Sequence, residues 1–152
     1  MKLRTAAAED ADFLQRVYAS TRSDELALTD WSDGQKAEFC RMQFEAQDRH
    51  YREHYPGAEF CVIERDGEAI GRLYVDRRER EIRIMDIALL PSECGAGLGT
   101  RLLGDLREEA RSGKKALSIH VEKFNPALRL YERLGFQPVE DKGVYLLMEW
   151  RG

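Results

Sequence analysis

Apolar residues recur along the chain with two different periods, and the change of period divides it. Leu3 to Ala6 reads as a short strand. From Glu9 to Ser20, the residues Phe13, Leu14, Val17 and Tyr18 fall on one side of a 3.6-residue repeat, which predicts a helix. Ser23 to Asp33 is polar and acidic, and is expected to be a loop carrying Trp31. Gly34 to Glu53 reads as a long helix, with Ala37, Cys40, Phe44, Gln47 and Tyr51 at helical spacing and Pro56-Gly57 ending it. After that point the period falls to two. Glu59 to Glu64 and Ala69 to Asp76 flank Arg65-Asp66-Gly67-Glu68, a hairpin signal because Asp-Gly suits positive φ. Glu81 to Leu90 follows as a third strand. Leu98, Leu102, Leu103 and Leu106 then form the stripe of a helix running to about Ser112, with Gly113 as the expected C′ residue. Ala116 to His120 is a strand. Asn125-Pro126 is expected to cap a short helix whose Ala127, Leu130, Tyr131 and Leu134 share one face, with Gly135 as its stop. Phe136 to Glu140 and Val144 to Trp150 close the chain as strands. The order of elements predicts a mixed α/β fold.

At 152 residues the chain suits a single domain, residues 1–152, long enough to bury a real core. With 43% hydrophobic and 34% charged residues it reads as globular rather than disordered. The net charge is −4, with 24 basic and 28 acidic residues interspersed. No basic stripe stands out, so no nucleic acid is expected as the main ligand. A local nest of N–H groups can still hold an anion against a diffuse negative charge. Cys40, Cys61 and Cys94 are odd in number, widely spaced and form no CxxC pair, which fits a reducing compartment. There is no signal-type h-region and no long apolar span, so the expectation is a cytoplasmic protein with no membrane attachment.

The densest chemical signal is Cys94-Gly95-Ala96-Gly97-Leu98-Gly99-Thr100, set between a predicted strand and a predicted helix. Glycine at every second position leaves bare backbone that another molecule can approach closely. The helix start adds N–H donors and the positive end of its dipole, so the segment reads as a site for a phosphate or diphosphate. A second pattern, His50-Tyr51-Arg52-Glu53-His54, has the H-x-x-E-H spacing of inverted zinc metallopeptidases. No third ligand accompanies it and Pro56-Gly57 ends the helix at once, so it is read as a solvated helix face, with no metal expected.

The stretch Ile87 to Leu103 and the run Asn125-Pro126-Ala127-Leu128-Arg129-Leu130-Tyr131-Glu132-Arg133-Leu134-Gly135-Phe136 together resemble the GCN5-related N-acetyltransferase (GNAT) family. Two separate motifs in the right order are more specific than either alone. The resemblance is firm from about Phe60 to Phe136 and weakest between Ser23 and Tyr55. It implies a central, mostly antiparallel twisted sheet of about six or seven strands flanked by helices, with a splayed parallel strand pair at the cofactor site. It also implies an acetyl-coenzyme A cosubstrate, a primary amine of a small molecule or peptide as acceptor, and room for a homodimer. The family loop begins with Gln or Arg where this chain has Cys94. The missing cation leaves the grip to main-chain N–H groups, at a cost of up to about 1.5–3 kcal/mol for one charge-assisted bond.

Carried onto this chain, the resemblance places the diphosphate on Gly95, Ala96, Gly97, Leu98, Gly99 and Thr100. It lays the pantetheine arm along Ile87, Ala88, Leu89 and Leu90, with Asn125 bonding to it, and makes Tyr131 the acid that protonates the departing thiolate. The amine must lose a proton to attack, because a pKa of about 10.4 keeps it charged at pH 7. Asp86 shares a strand face with Ile82, Ile84 and Ala88, which makes it the candidate base, acting directly or through water. In the acidic segment, Glu25 and Asp30 would suit a cationic acceptor, with Trp31 packed over it. Direct attack in a ternary complex is the expected mechanism. An acyl-Cys94 route lacks a neighbouring histidine. The alternatives are a longer acyl group, or a non-catalytic coenzyme A-binding or interaction module of the same fold.

Overall fold

The computed structural model describes residues 1–152. Seven strands form one sheet in the order β1-β2-β3-β4-β5-β7-β6. The strands are β1 (Lys2–Thr5), β2 (Glu59–Arg65), β3 (Glu68–Arg77), β4 (Glu81–Leu89), β5 (Ala116–Glu122), β6 (Gln137–Asp141) and β7 (Tyr145–Trp150). The helices are α1 (Ala11–Ala27), α2 (Asp33–His54), α3 (Leu98–Ser112) and α4 (Leu128–Arg133). The β4–β5 pair is parallel, while β1–β2, β5–β7 and β6–β7 are antiparallel. The mixed α/β architecture with a parallel strand pair is therefore the one expected. No helix is long and apolar enough to cross a membrane. The chain forms two compact units, Met1–Leu73 with Ile87–Glu93, and Tyr74–Asp86 with Cys94–Gly152.

In the first unit the faces of α1 and α2 meet over β2. Phe13, Leu14, Val17, Tyr18, Leu26, Cys40, Phe44 and Val62 form its core, and Ala88 and Leu90 pack against it. Ser32 starts α2 with a reciprocal cap: its hydroxyl accepts from Gln35 N–H at 3.2 Å while the Gln35 side chain accepts from Ser32 N–H at 2.8 Å. The hairpin between β2 and β3 turns at Asp66 (φ 53°) and Gly67 (φ 81°), the left-handed pair a two-residue turn requires.

The expected loop from Ser23 to Asp33 is corrected at its first half, because α1 continues to Ala27. Two local causes extend it. Leu26 is buried and prolongs the apolar stripe of Leu14 and Tyr18. The hydroxyls of Ser20, Thr21 and Ser23 donate to the carbonyls three residues back (2.6, 2.6 and 3.1 Å), so these residues bond within the helix instead of competing with it.

In the second unit α3 buries Leu102, Leu103, Leu106 and Ala110, and the apolar strand positions Leu117, Ile119, Val121 and Met148 are buried as well. The expected C′ glycine of α3 is also corrected. Gly113 keeps right-handed geometry (φ −86°) as the last capping residue, and Lys114 takes the left-handed position (φ 55°). The helix runs one residue further than its composition suggests, and Lys115 N–H closes it on Ala110 O at 2.8 Å. For α4 the glycine stop holds. Gly135 has φ +99°, and Phe136 N–H returns to Tyr131 O at 3.0 Å.

Arg4 ties β1 to the first turn of the unit. Its guanidinium donates both terminal nitrogens to Asp10 (2.7 and 2.8 Å) and Nε to Glu64 at 2.9 Å. The fork from Arg4, then the Ala7 N–H bond, lower the Asp10 carboxyl to about 2. A carboxylate whose folded pKa is depressed stabilises the fold above its unfolded pKa of about 3.9 and loses that contribution as pH falls through the folded value. Asp10→Asn is therefore expected to destabilise the protein at pH 5. In urea titrations, the gap from wild type should shrink steadily between about pH 4 and pH 2. A gap that does not change with pH would assign Asp10 a role independent of its charge.

Candidate active site

The glycine segment lies where the sequence places it, at the start of α3 in the second unit. Gly95 (φ +84°) and Gly97 (φ +78°) both need the left-handed region. Gly97 is the N-cap of α3 and provides no side-chain cap. The first intrahelical bond runs from Arg101 N–H to Gly97 O at 3.0 Å. The N–H groups of Leu98, Gly99 and Thr100 thus sit in the first turn, where a helix has no acceptors of its own to offer.

Gly99 is different from the other two. It is helical, its φ is ordinary, and a Cβ built on it meets nothing within 4 Å. A glycine inside a helix costs about 0.5–1 kcal/mol relative to alanine. No contact within the protein requires it. Ala96 and Thr100 are exposed, and so is the Cys94 thiol, which forms no disulfide.

On β4, the parallel register with β5 runs from Glu81–Ala116 to Ile84–Ile119 and stops there, although β4 continues to Leu89. Met85 and Asp86 are the next residues beyond the last pair. Asp86 is half-buried on the face of Ile82 and Ile84, both of which are fully buried. Tyr131 is brought to the same neighbourhood by α4. Its ring is 6% exposed and meets Phe136 edge-on with centroids 5.6 Å apart. Burial first, and the negative charge of Asp86 second, push its hydroxyl up to about 12. The phenol therefore holds its proton at neutral pH. Asn125 precedes α4, and its Oδ1 accepts from Ala127 N–H at 2.8 Å. The helix cap itself falls on Ala127, two residues later than expected, so Asn125 closes the turn ahead of the helix through Oδ1 and its amide NH2 is not used in that bond.

In the first unit, Ile87, Ala88, Leu89 and Leu90 are held on the β3 side. Leu90 N–H donates to Ile70 O at 2.9 Å. Gly71 allows the approach, since a Cβ there would lie 2.4 Å from Ala88 O. Between β4 and the loop, Pro91–Glu93 form a short 3-10 turn that periodicity did not indicate, and Glu93 pairs with Arg65 at 2.5 Å.

The acidic segment is rearranged relative to expectation. Glu25 lies on α1 and its carboxylate takes Arg22 at 3.0 Å. Asp30 is exposed. Trp31 is 39% exposed, its ring tilted on Phe39 with centroids 5.3 Å apart. Together with Gln35, Glu38 and Met42 they border an open cavity of about 680 Å3. Phe39 and Met42 were not singled out from sequence, although their i, i+3 spacing on a polar helix was the available signal.

A second missed group is polar. On β4 and β5, Arg83 Nε donates to Ser118 Oγ at 2.8 Å and its NH1 lies 3.4 Å from His120 Nδ1. Burial, then Arg83, push the His120 imidazole down from its ordinary value. Polar residues at 118 and 120 in an otherwise apolar strand were the signal for it.

Residues 7–136 match the sequence model described as "Acetyltransferase (GNAT) family". Over 66 residues the chain is 36% identical to [Ribosomal protein bS18]-alanine N-acetyltransferase of Haemophilus influenzae, a match spanning 43% of this chain and 45% of that protein. The chain thus covers less than half the length of that relative. Among solved structures, it superposes on the PaiA N-acetyltransferase of Thermoplasma acidophilum in complex with coenzyme A with a TM-score of 0.75, at 16% identity, covering 99% of this chain and 98% of the other. A family acetyltransferase from Elizabethkingia anophelis with acetyl-coenzyme A bound gives a TM-score of 0.60 at 18% identity, covering 99% and 97%. At these identities the structural likeness establishes the fold.

Proposed function

Since the chain belongs to the acetyltransferase (GNAT) family, we propose that it transfers an acetyl group from acetyl-coenzyme A to a primary amine of a small molecule or peptide, by direct attack in a ternary complex. One observation carries the reading: the start of α3 has two left-handed glycines and a third, helical glycine, with open space at the Cβ positions of all three. That surface suits a diphosphate lying on the N–H groups of Gly95 to Thr100. The end of the parallel register at Ile84 supports placing the pantetheine arm along Ile87 to Leu90.

When bound, acetyl-coenzyme A supplies the activated thioester, and this chain supplies orientation and protons. Bringing amine and thioester together accounts for several kcal/mol of the barrier reduction. Asp86 accepts the proton the amine must lose. Tyr131 donates its hydroxyl hydrogen toward the departing sulfur. Burial makes this phenol a weaker acid than an ordinary thiol, so full proton transfer to a free thiolate is uphill. Tyr131 therefore acts while the C–S bond is breaking, by a hydrogen bond that strengthens as charge builds on sulfur. Over the whole reaction the ammonium nitrogen loses two protons: one leaves through Asp86 to solvent before attack, and the loss of the second balances the one the sulfur gains.

The test is a single-turnover assay with labelled acetyl-coenzyme A and a panel of amines, run beside calorimetry with coenzyme A. Binding followed by transfer supports the reading. Binding without transfer to any amine favours the alternative that Cys94 motivates, a coenzyme A-binding module. Failure of intact, folded protein to bind removes both.

A further inference from the structure

The last turns of α2 read His50-Tyr51-Arg52-Glu53-His54, a spacing that acetyl transfer does not use. His50 and His54 are one turn apart on the helix, and both are exposed. Their rings face each other with centroids 4.3 Å apart and planes 28° from parallel. His54 Nδ1 lies 3.0 Å from the carbonyl oxygen of His50. A carbonyl can only accept, so Nδ1 carries the hydrogen and the neutral ring keeps a lone pair on Nε2. Metal-bound imidazoles have this arrangement, with one nitrogen donating to a carbonyl and the other facing the ion. A tetrahedral ion about 2.0–2.1 Å from each nitrogen needs the two roughly 3.3 Å apart, so the exposed rings turn out of their stack for the two lone pairs to converge on it. Tyr55 stands edge-on to His50, with centroids 6.3 Å apart, and walls one side. No group of three or more His, Cys, Asp or Glu side chains is placed to hold a metal, so water completes the coordination.

We propose that His50 and His54 form a surface two-imidazole site for a divalent transition cation of the Zn2+, Ni2+ and Cu2+ class, clamping the last turn of α2 ahead of Pro56-Gly57. Imidazole nitrogen selects these ions over Mg2+ and Ca2+, which take oxygen ligands. The helix holds the rings together only in the folded chain, so the ion stabilises the native state by mass action. The site is independent of the acetyltransferase reading and is tested without it.

The experiment uses tag-free protein, with calorimetry and thermal melts in NiCl2, ZnCl2 and MgCl2. Expected are saturable Ni2+ and Zn2+ binding with a rise in Tm, and no effect of Mg2+. His50→Gln and His54→Gln should each weaken Ni2+ binding by about tenfold or more while leaving the metal-free Tm unchanged. Equal binding in the double variant would place the ion elsewhere, with Cys40, Cys61 and Cys94 as the competing soft ligands, and would overturn the proposal. Absence of binding at millimolar Ni2+ overturns it too.

Discussion

Tyr131→Phe is expected to lower kcat by about 100-fold or more, the usual scale for a positioned acid, while coenzyme A affinity stays within about twofold of wild type. The substitution removes one oxygen and keeps the ring. What the ring does for the fold is visible: it is buried, meets Phe136 edge-on, and sits on the residue whose carbonyl closes the C-terminus of α4. Phenylalanine retains all three, so the melting temperature should barely move. Tyr131→Ala, by contrast, would empty a buried aromatic site at a cost of about 3–5 kcal/mol and would confuse rate with folding. The decisive readout is therefore kcat against affinity in the phenylalanine variant. Equal loss of both, or loss of neither, would return Tyr131 to the core. Its hydroxyl, held up to about 12, also places no ionisation of its own below pH 10. An alkaline limb in the pH–rate profile below that point belongs to another group.

How far the sequence reaches is clearest where the signal is local. The β2–β3 hairpin was legible because Asp66 and Gly67 both take the left-handed φ that their types favour. The glycine segment was legible for the same reason at Gly95 and Gly97, and its place after a strand made it a candidate site. The extension of α1 to Ala27 was not legible. Ser20, Thr21 and Ser23 are residue types that often leave helices, and here they bond back to the helix carbonyls. Only the burial of Leu26, a tertiary event, decides between the two outcomes. The same holds for the site's chemistry. Asp86 and Tyr131 were each picked out separately, one by strand alternation and one by resemblance. That the charge of one acts on the hydroxyl of the other emerges only when Asp86 and α4 are folded in one unit. The Arg83, Ser118 and His120 cluster depends on a parallel register that no local pattern encodes.

Gly99→Ala separates binding from stability in opposite directions. At most positions a substitution that weakens ligand binding also loosens the fold, and the two effects cannot be read apart. Here the backbone is helical and a Cβ meets nothing of the protein within 4 Å, so alanine fits without strain. Replacing a helical glycine by alanine stabilises by about 0.4–1 kcal/mol, largely by restricting the unfolded chain. The ligand-free variant should therefore melt at or slightly above wild type. Coenzyme A should bind at least about tenfold more weakly, because the new methyl occupies the surface on which a diphosphate would rest against the N–H groups of the first turn. Gly97→Ala cannot serve in its place: φ is +78° there, so lost affinity would come mixed with backbone strain. The chain has no arginine or glutamine at position 94 to compensate, which leaves the diphosphate to the bare amides and makes the methyl at residue 99 a direct probe of their grip. A variant that is more stable and binds coenzyme A as well as wild type would show that the diphosphate does not lie on this turn, whatever the activity of the protein.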